Sequence, residues 1–384
     1  MKFDKYLLPV FALLLLILTI PTASGCSLKH QADVREVITS ELDHLKNLDT
    51  KTAQKYISYK DLFPDATENT QLSDEVKKVF SLFFQKFDYQ ILDISIDKEK
   101  AAAKASLTLT TVDAKPLAED FAAQLLKTKI TEAAQTQAGE TTKDSSRSLE
   151  GHYLILNQLL STDAYGTVKT DCTIQLVNRG DEENQTWEIK HTRSLENDLV
   201  GGLITYLSDP DILSPENTLS VYLDTLEKMN LQEMSNYLGM VNIMNSSDDS
   251  RNQIAEALVE QVHKNFNYDI KSSIVNGYNA TVLTKIITFD SDSILAVYQA
   301  KLDEYLASAD AVIDGSNTRY EKSLELLLKS IEENTATTSS DVEFVLINDG
   351  VSWKLQDEGN TLGNAIFSSL ADTPLHLPEQ EAKD

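Results

Sequence analysis

The chain has 384 residues and a formal net charge of −26, with 60 acidic against 34 basic side chains. Such an excess of acid repels nucleic-acid phosphates and anionic lipid headgroups, which argues against both as ligands of the bulk of the protein. Because the acidic residues are spread along the chain, we interpret them as a solubilising surface, with a docking surface for cationic partners as the alternative.

The N-terminus has the order of segments that is typical of a secretory signal peptide. Lys2 and Lys5 precede an apolar run at residues 6–20, and small residues then lead to Cys26. The apolar run is shorter than the roughly 20 residues that a membrane-spanning helix needs. We therefore predict a cleaved signal peptide over residues 1–25, which leaves 32 basic and 59 acidic side chains and a net charge of −27 once Lys2, Asp4 and Lys5 are removed.

The residues Ala23-Ser24-Gly25-Cys26 resemble the lipobox of bacterial lipoproteins. In that family a small residue and then Gly or Ala precede the Cys that is lipidated and becomes the new N-terminus, although Leu is more usual where this chain has Ala23. The resemblance implies a lipid on Cys26 that holds the protein at the extracytoplasmic face of the cell membrane. The alternative is an ordinary signal-peptidase site with Cys26 as a bystander.

Cys172 is the second cysteine of the chain. If Cys26 is lipidated, no intrachain disulfide can form. The predicted strand around Cys172 makes its thiol a small buried hydrophobic group rather than a nucleophile.

Residues 26–384 exceed the length of a typical single domain, so two cores are expected. A repeat supports this division, with four matches in the same order at offsets of 181, 179, 177 and 166: residues 42–45 with 223–226, 87–91 with 266–270, 111–113 with 288–290, and 186–189 with 352–355. A constant order with a shrinking offset is expected of a duplicated domain with loop deletions.

Each repeat is predicted to begin with an amphipathic helix, because apolar residues recur at spacings of three and four from Val34 and again from Leu219. In the second repeat Ser214 is a predicted N-cap and Pro215 the first helical residue. The pattern then predicts a second helix in each repeat, at 74–85 and 253–265. Paired strands follow, at 89–96 with 103–109 and at 268–275 with 280–289.

A helical insertion is predicted next in each repeat, at 117–160 and 294–331, and a strand pair after it, at 168–177 with 186–190 and at 342–347 with 351–355. This α+β order lets a four-stranded antiparallel sheet bury one face against helices. The predicted organisation is a signal peptide at 1–25, a tether at 26–33, a first α+β repeat at 34–207, a linker at 208–213, a second α+β repeat at 214–371 and a disordered tail at 372–384.

The element order and the paired aromatic residues resemble the cystatin-like and nuclear transport factor two-like folds, as they occur in Gram-positive lipoproteins. The long helical insertion departs from the simplest members. Families of this shape use the concave face of the sheet as a small-molecule pocket or as a protein-binding face, and some members are enzymes. Fold alone does not choose among these functions.

The sequence contains no nucleophile elbow and no phosphate-binding loop. The histidines lack metal-ligand spacing, and we predict surface positions for all six: His30, His44, His152, His191, His263 and His376. Residues 290–293, Asp-Ser-Asp-Ser, lack the remaining ligands of a calcium loop, and we interpret them as a helix cap before Ile294. We expect no metal, no cofactor and a non-enzymatic role.

Four aromatic residues at equivalent repeat positions are the candidate site residues: Trp187, Trp353, Tyr89 and Tyr268. Trp faces can line a concave pocket, but strand positions beside hairpin turns favour anchoring of each core. The tyrosine hydroxyls could orient a ligand, with the same core alternative.

Together these patterns predict a membrane-anchored extracytoplasmic lipoprotein that acts as a non-enzymatic binding or scaffolding module of the cell envelope. An envelope protein is its expected partner, and nucleic acid is not. The alternative is an envelope hydrolase or a solute-binding subunit of a transporter. A transporter receptor would need a deep cleft between two α/β lobes, and a hydrolase would need a converging acid, base or nucleophile.

Overall fold

The computed structural model describes residues 22–57, 59–67, 73–97, 99, 101–137, 145–180, 185–238, 249–357 and 359–372. Residues 1–21 of the predicted signal peptide and residues 373–384 of the predicted tail lie outside this set. Among the described residues, no helix is both long enough and apolar enough to cross a membrane.

The contacts divide the chain into two compact units. The first comprises the chain up to Ala118 together with Ser148–Leu207, and the second comprises Glu119–Arg147 together with the chain from Ser208 onward. Residues 119–147 therefore group with the second unit, whereas the repeat pattern assigned them to the first. The reason is packing, since Ile130 and Ala134 of this segment belong to the hydrophobic core of the second unit.

Along the described residues, the first unit begins with helices and continues with a sheet. The helices are α1 (Thr22–Lys46), α2 (Thr50–Tyr56), α3 (Tyr59–Leu62) and α4 (Asp74–Phe83). The remaining elements are β1 (Asp88–Asp97), β2 (Ala102–Val112), α5 (Ala114–Gln137), α6 (Leu149–Leu160), β3 (Thr167–Asn178), β4 (Trp187–Ile189), α7 (Arg193–Leu199) and α8 (Leu203–Leu207). Helix α5 begins in the first unit and continues as part of the second.

The second unit repeats this order. Its elements are α9 (Pro215–Leu226), α10 (Leu231–Tyr237), α11 (Asp249–Asn265), β5 (Asn267–Asn276), β6 (Asn279–Phe289), α12 (Ser291–Leu306), α13 (Ala309–Ile313), α14 (Ser316–Glu332), β7 (Thr337–Asn348), β8 (Trp353–Gln356), α15 (Thr361–Phe367) and α16 (Ser369–Asp372). The predicted fold class, α+β with two tandem repeats that each pack helices on an antiparallel sheet, is confirmed.

The described residues of each unit form a four-stranded antiparallel sheet whose strands follow chain order, β1-β2-β3-β4 in sheet 1 of the first unit and β5-β6-β7-β8 in sheet 2 of the second. The registers of the two sheets correspond. A bulge between Ile91 and Asp93 in β1 recurs between Ile270 and Ser272 in β5, at the repeat offset of 179. Burial alternates along β2 and β6, so each sheet has one inner face against helices and one outer face toward solvent.

Two predicted helix starts are confirmed. Ser214 accepts a backbone hydrogen bond as the N-cap of α9, and Pro215 is the first residue of that helix. Asp290 caps α12 by accepting hydrogen bonds from the backbone of Asp292 and Ser293. Residues 290–293 thus form a helix cap, as their sequence indicates.

The first helix begins earlier than the apolar pattern predicted. Helix α1 starts at Thr22, so residues 26–33, which we predicted to be a tether, are helical. A contact with the sheet accompanies this extension, because the Gln31 side-chain amide donates a hydrogen bond of 3.0 Å to the carbonyl of Ile94 in β1. A helical segment of seven residues spans about 10 Å rather than the roughly 25 Å of an extended one.

Two threonines on the inner face of β6 give a matched test of the second core. Thr284 is fully buried and its hydroxyl has no hydrogen-bond partner among the described residues, whereas Thr288 donates a 3.1 Å hydrogen bond to the carbonyl of Ile366. Thr284→Val removes an unsatisfied buried hydroxyl, and we expect it to raise the free energy of unfolding by about 1 kcal/mol. Thr288→Val breaks a bond that is made, and we expect a loss of about 1 kcal/mol or more.

Urea unfolding followed by the fluorescence of Trp353, in a Trp187→Phe background, measures this change for the second unit. Equal destabilisation by both substitutions would contradict the assignment of Thr284 as unsatisfied.

Candidate functional site

Both tryptophans lie in the cores of their units, with 6% of Trp187 and 4% of Trp353 exposed. Trp353 also holds the segment that precedes helix α9 in its own unit. Its indole N–H donates a 2.9 Å hydrogen bond to the carboxylate of Asp211, which also accepts a bond of 3.0 Å from the Asn348 amide. The predicted linker at 208–213 is thereby fastened to the hairpin of β7 and β8.

Tyr89 and Tyr268 make the same hydrogen bond in the two units. The Tyr89 hydroxyl donates to the carboxylate of Asp43 on α1 at 2.8 Å, and the Tyr268 hydroxyl donates to Asp224 on α9 at 2.7 Å. Burial, with the neighbouring carboxylate adding to it, raises the pKa of each tyrosine to about 12. Each pair ties the first helix of its unit to the edge strand of the sheet, and the bond uses the one proton that each hydroxyl can donate.

Cys172 lies on the inner side of β3 and is buried, as its strand context predicted. Burial, together with the nearby carboxylate of Asp198, raises the pKa of the Cys172 thiol to about 12. A thiol with so high a pKa is almost entirely protonated at neutral pH, so this group lacks the thiolate that a nucleophile needs.

The prediction that the histidines lie at the surface is wrong for His152. This side chain is buried on α6, where its ring contacts Phe63 edge-on with 4.7 Å between ring centroids. On α6, His152 and Tyr153 lie on the face that packs against the core. Both faces of this helix carry polar and apolar residues, so helical spacing alone does not predict which face is buried. The side chains of His44, His191 and His263 are exposed, His30 is half-buried, and His376 lies outside the described residues.

Within the described ranges, no three His, Cys, Asp or Glu side chains converge as metal ligands would. One pocket in the first unit lies beside Lys86, which contacts Asp163 at 2.6 Å and donates a 2.7 Å hydrogen bond to the carbonyl of Tyr165. Its volume is about 20 Å³, enough for a single water molecule and far below the several hundred Å³ of a small-molecule site.

The outer faces of the two sheets differ in chemistry although their registers correspond. Ser95, Lys104 and Gln175 lie side by side across sheet 1, and the matching row of sheet 2 is Ile274, Thr281 and Val345. Four outer positions that are polar in sheet 1 are aliphatic in sheet 2, namely Ser95/Ile274, Ser106/Leu283, Thr110/Ile287 and Gln175/Val345. These residue differences are present in the sequence, but they can be compared position by position only after the strands have been aligned by their register.

The most exposed apolar groups of sheet 2 lie together at one end of it. We call Ile274, Val275, Tyr278, Val345 and Val351 the apolar end, and between 44% and 75% of each is exposed. A hydrogen bond of 2.8 Å from the backbone N–H of Asn348 to the carbonyl of Tyr278 holds the two hairpin turns of this end against each other. Clustered exposed apolar side chains mark surfaces that another molecule covers.

Neither a protein-family model nor a curated protein matches the chain. Among solved structures, the chain is similar to the crystal structure of a "putative lipoprotein (ycdA)" from Bacillus subtilis, with 11% sequence identity and a TM-score of 0.28. The similarity covers 73% of this chain and 96% of that one. A similarity at this TM-score establishes neither a shared fold nor a shared function.

The Tyr268–Asp224 bond can be tested by removing one hydroxyl. We expect Tyr268→Phe to lower the free energy of unfolding of the second unit by about 1 kcal/mol, because a 2.7 Å hydrogen bond to a carboxylate is lost. Urea unfolding in the Trp187→Phe background measures the change. The matched control is Tyr278→Phe, which alters a tyrosine that is 70% exposed in the same unit. Equal effects of the two changes would show that the bond contributes nothing.

Proposed function

We propose that this protein is a lipoprotein of the cell envelope, anchored through Cys26 at the extracytoplasmic face of the membrane, and that it acts as a non-enzymatic binding or scaffolding module. The sequence Ala23-Ser24-Gly25-Cys26 after an apolar run supports the anchor. The apolar end of sheet 2 supports the binding role.

The apolar end is the main support for this proposal, because the outer faces of the two sheets can be compared within one protein. The two sheets of this chain have the same strand register. At outer positions where the first sheet has Ser, Thr and Gln, the second presents aliphatic side chains. A solubilising surface has no need of such residues, since isolated exposed apolar groups are tolerated but clusters favour association. We therefore assign the contact with an envelope protein to the outer face of sheet 2.

The chemistry of the described side chains fits binding better than catalysis. The tyrosine hydroxyls are engaged by Asp43 and Asp224, the thiol of Cys172 is buried and protonated, and the pocket beside Lys86 holds no more than a water molecule. A general acid or base must reach a substrate, and a nucleophile must be activated and accessible. These groups meet neither condition.

The anchor is tested by Cys26→Ser in the full chain. We expect the wild-type protein in the membrane fraction and the variant in the soluble fraction, because a lipid on Cys26 is the only membrane attachment that the proposal includes. Metabolic labelling with a fatty acid should mark the wild-type chain alone. A variant that stays in the membrane after its signal peptide has been removed would contradict the proposal.

The contact face is tested by placing a charge at its centre. We expect Val345→Lys to reduce recovery of a crosslinked envelope protein from native membranes at least tenfold, since a buried ammonium group opposes an apolar contact. Gln175→Lys puts the same charge at the matching position of sheet 1 and should leave recovery unchanged. Unchanged recovery with Val345→Lys, or recovery of no protein by the wild type, would contradict the binding role.

A further inference from the structure

Strand β5 forms one edge of sheet 2, and apolar side chains near its C-terminal end are exposed although Glu216 of α9 lies beside Ser273. Tyr268 near the start of β5 is bonded to α9 through Asp224, whereas Ile274 and Val275 are 71% and 54% exposed on opposite faces of the strand. An edge strand with unpaired backbone groups and apolar side chains on both faces is a template for another strand.

Strand β1 occupies the same edge of sheet 1 but carries charges there. Asp93 and Asp97 of β1 correspond to Ser272 and Asn276 of β5, since each pair lies at the same offset from the bulge. Ser95 likewise corresponds to Ile274. Charged side chains commonly protect an edge strand from pairing, and β5 lacks them along residues 272–276.

We propose that β5 pairs antiparallel with β5 of a second copy of this chain, about a two-fold axis at Ile274. Directly opposed residues of an antiparallel pair share a face of the sheet. Ile274 then opposes its own counterpart, Ser272 opposes Asn276, and Ser273 opposes Val275. The two four-stranded sheets join into one of eight strands, and no ionisable residue lies in the paired segment.

The contrast with β1 identifies the occupant as a second copy rather than an unrelated strand. The same two-fold axis placed at Ser95 would set Asp93 opposite Asp97 twice, and like charges directly opposed destabilise a strand pair. A cationic strand of another protein would be attracted by Asp93 and Asp97, so these acids would not prevent it from pairing with β1. They oppose pairing only with a like-charged strand, such as a second copy of β1. Their absence from β5 therefore removes the obstacle to self-pairing. Two-fold contacts of this kind are the commonest form of self-association.

The remaining charges of β5 fit the same register. Asp269 and Lys271 form an ion pair with each other and lie outside the paired segment of residues 272–276. Self-pairing uses Ile274 and Val275 of the apolar end, whereas Val345 lies on β7, two strands from this edge, and stays outside the paired segment. The pairing also does not depend on the anchor at Cys26, which allows it to be tested in solution.

The test uses residues 26–384 with Cys26→Ser, so that the buried Cys172 is the one remaining native thiol. Ile274→Cys should give a disulfide-linked dimer under mild oxidation, because directly opposed side chains have Cβ atoms about 4.5–5.5 Å apart, close to disulfide geometry. Ser95→Cys, at the matching position of β1, should stay monomeric on a non-reducing gel. Each change replaces one exposed side chain, so both variants are expected to fold.

Exchange of the acidic residues then tests the mechanism. Ser272→Asp with Asn276→Asp should reduce crosslinking of Ile274→Cys at least tenfold, while Thr337→Asp with Ser339→Asp adds the same charge on exposed positions of β7 and should not. Asp93→Ser with Asp97→Asn should allow Ser95→Cys to crosslink. Equal crosslinking of Ile274→Cys and Ser95→Cys, absence of a dimer with Ile274→Cys, or its crosslinking only to a different protein in native membranes, would overturn the proposal.

Discussion

The hydrogen bond between the first helix and the edge strand is the constraint on which the rest of each unit depends. Tyr89 and Asp43 make it in the first unit, and Tyr268 and Asp224 make it in the second. The bond joins the helix to the strand just before the bulge that shifts which side chains of the strand face inward. Each helix also reaches past the bulge, since the Gln31 amide of α1 donates to the carbonyl of Ile94 and Glu216 of α9 lies beside Ser273.

The inner framework of the two units is nearly the same, whereas their outer faces differ. The backbone N–H of Asp113 donates to the carbonyl of Gly166 at 2.9 Å, and that of Asp290 donates to Ala336 at the same distance. The side chains of an inner face are closely packed, so a change in their volume destabilises the unit. Outer positions carry no such constraint, and differences that accumulate there are free to serve binding.

Local patterns predicted the elements well, and long-range packing explains what they missed. The caps at Ser214 and Asp290 involve residues within three positions of each other, so the sequence contains the whole interaction. The grouping of residues 119–147 with the second unit depends on Ile130 and Ala134 meeting a core formed by residues far along the chain. Periodicity shows that a helix has an apolar face but not which core that face enters. The hydrogen bond between Tyr89 and Asp43 was easier to predict from the sequence, because both residues belong to motifs that recur in the second repeat.

The acidic surface and the uncharged edge act over different distances. A net charge of −26 repels other copies of the chain, but at physiological ionic strength this repulsion is screened beyond about 8 Å. Contacts between arbitrary surfaces therefore bring acidic groups together within that distance and are disfavoured. Residues 272–276 contain no ionisable group, so two such edges can approach without that local cost. The same charge that keeps the protein soluble thus disfavours contacts between acidic surfaces, and residues 272–276 are exempt from that local cost.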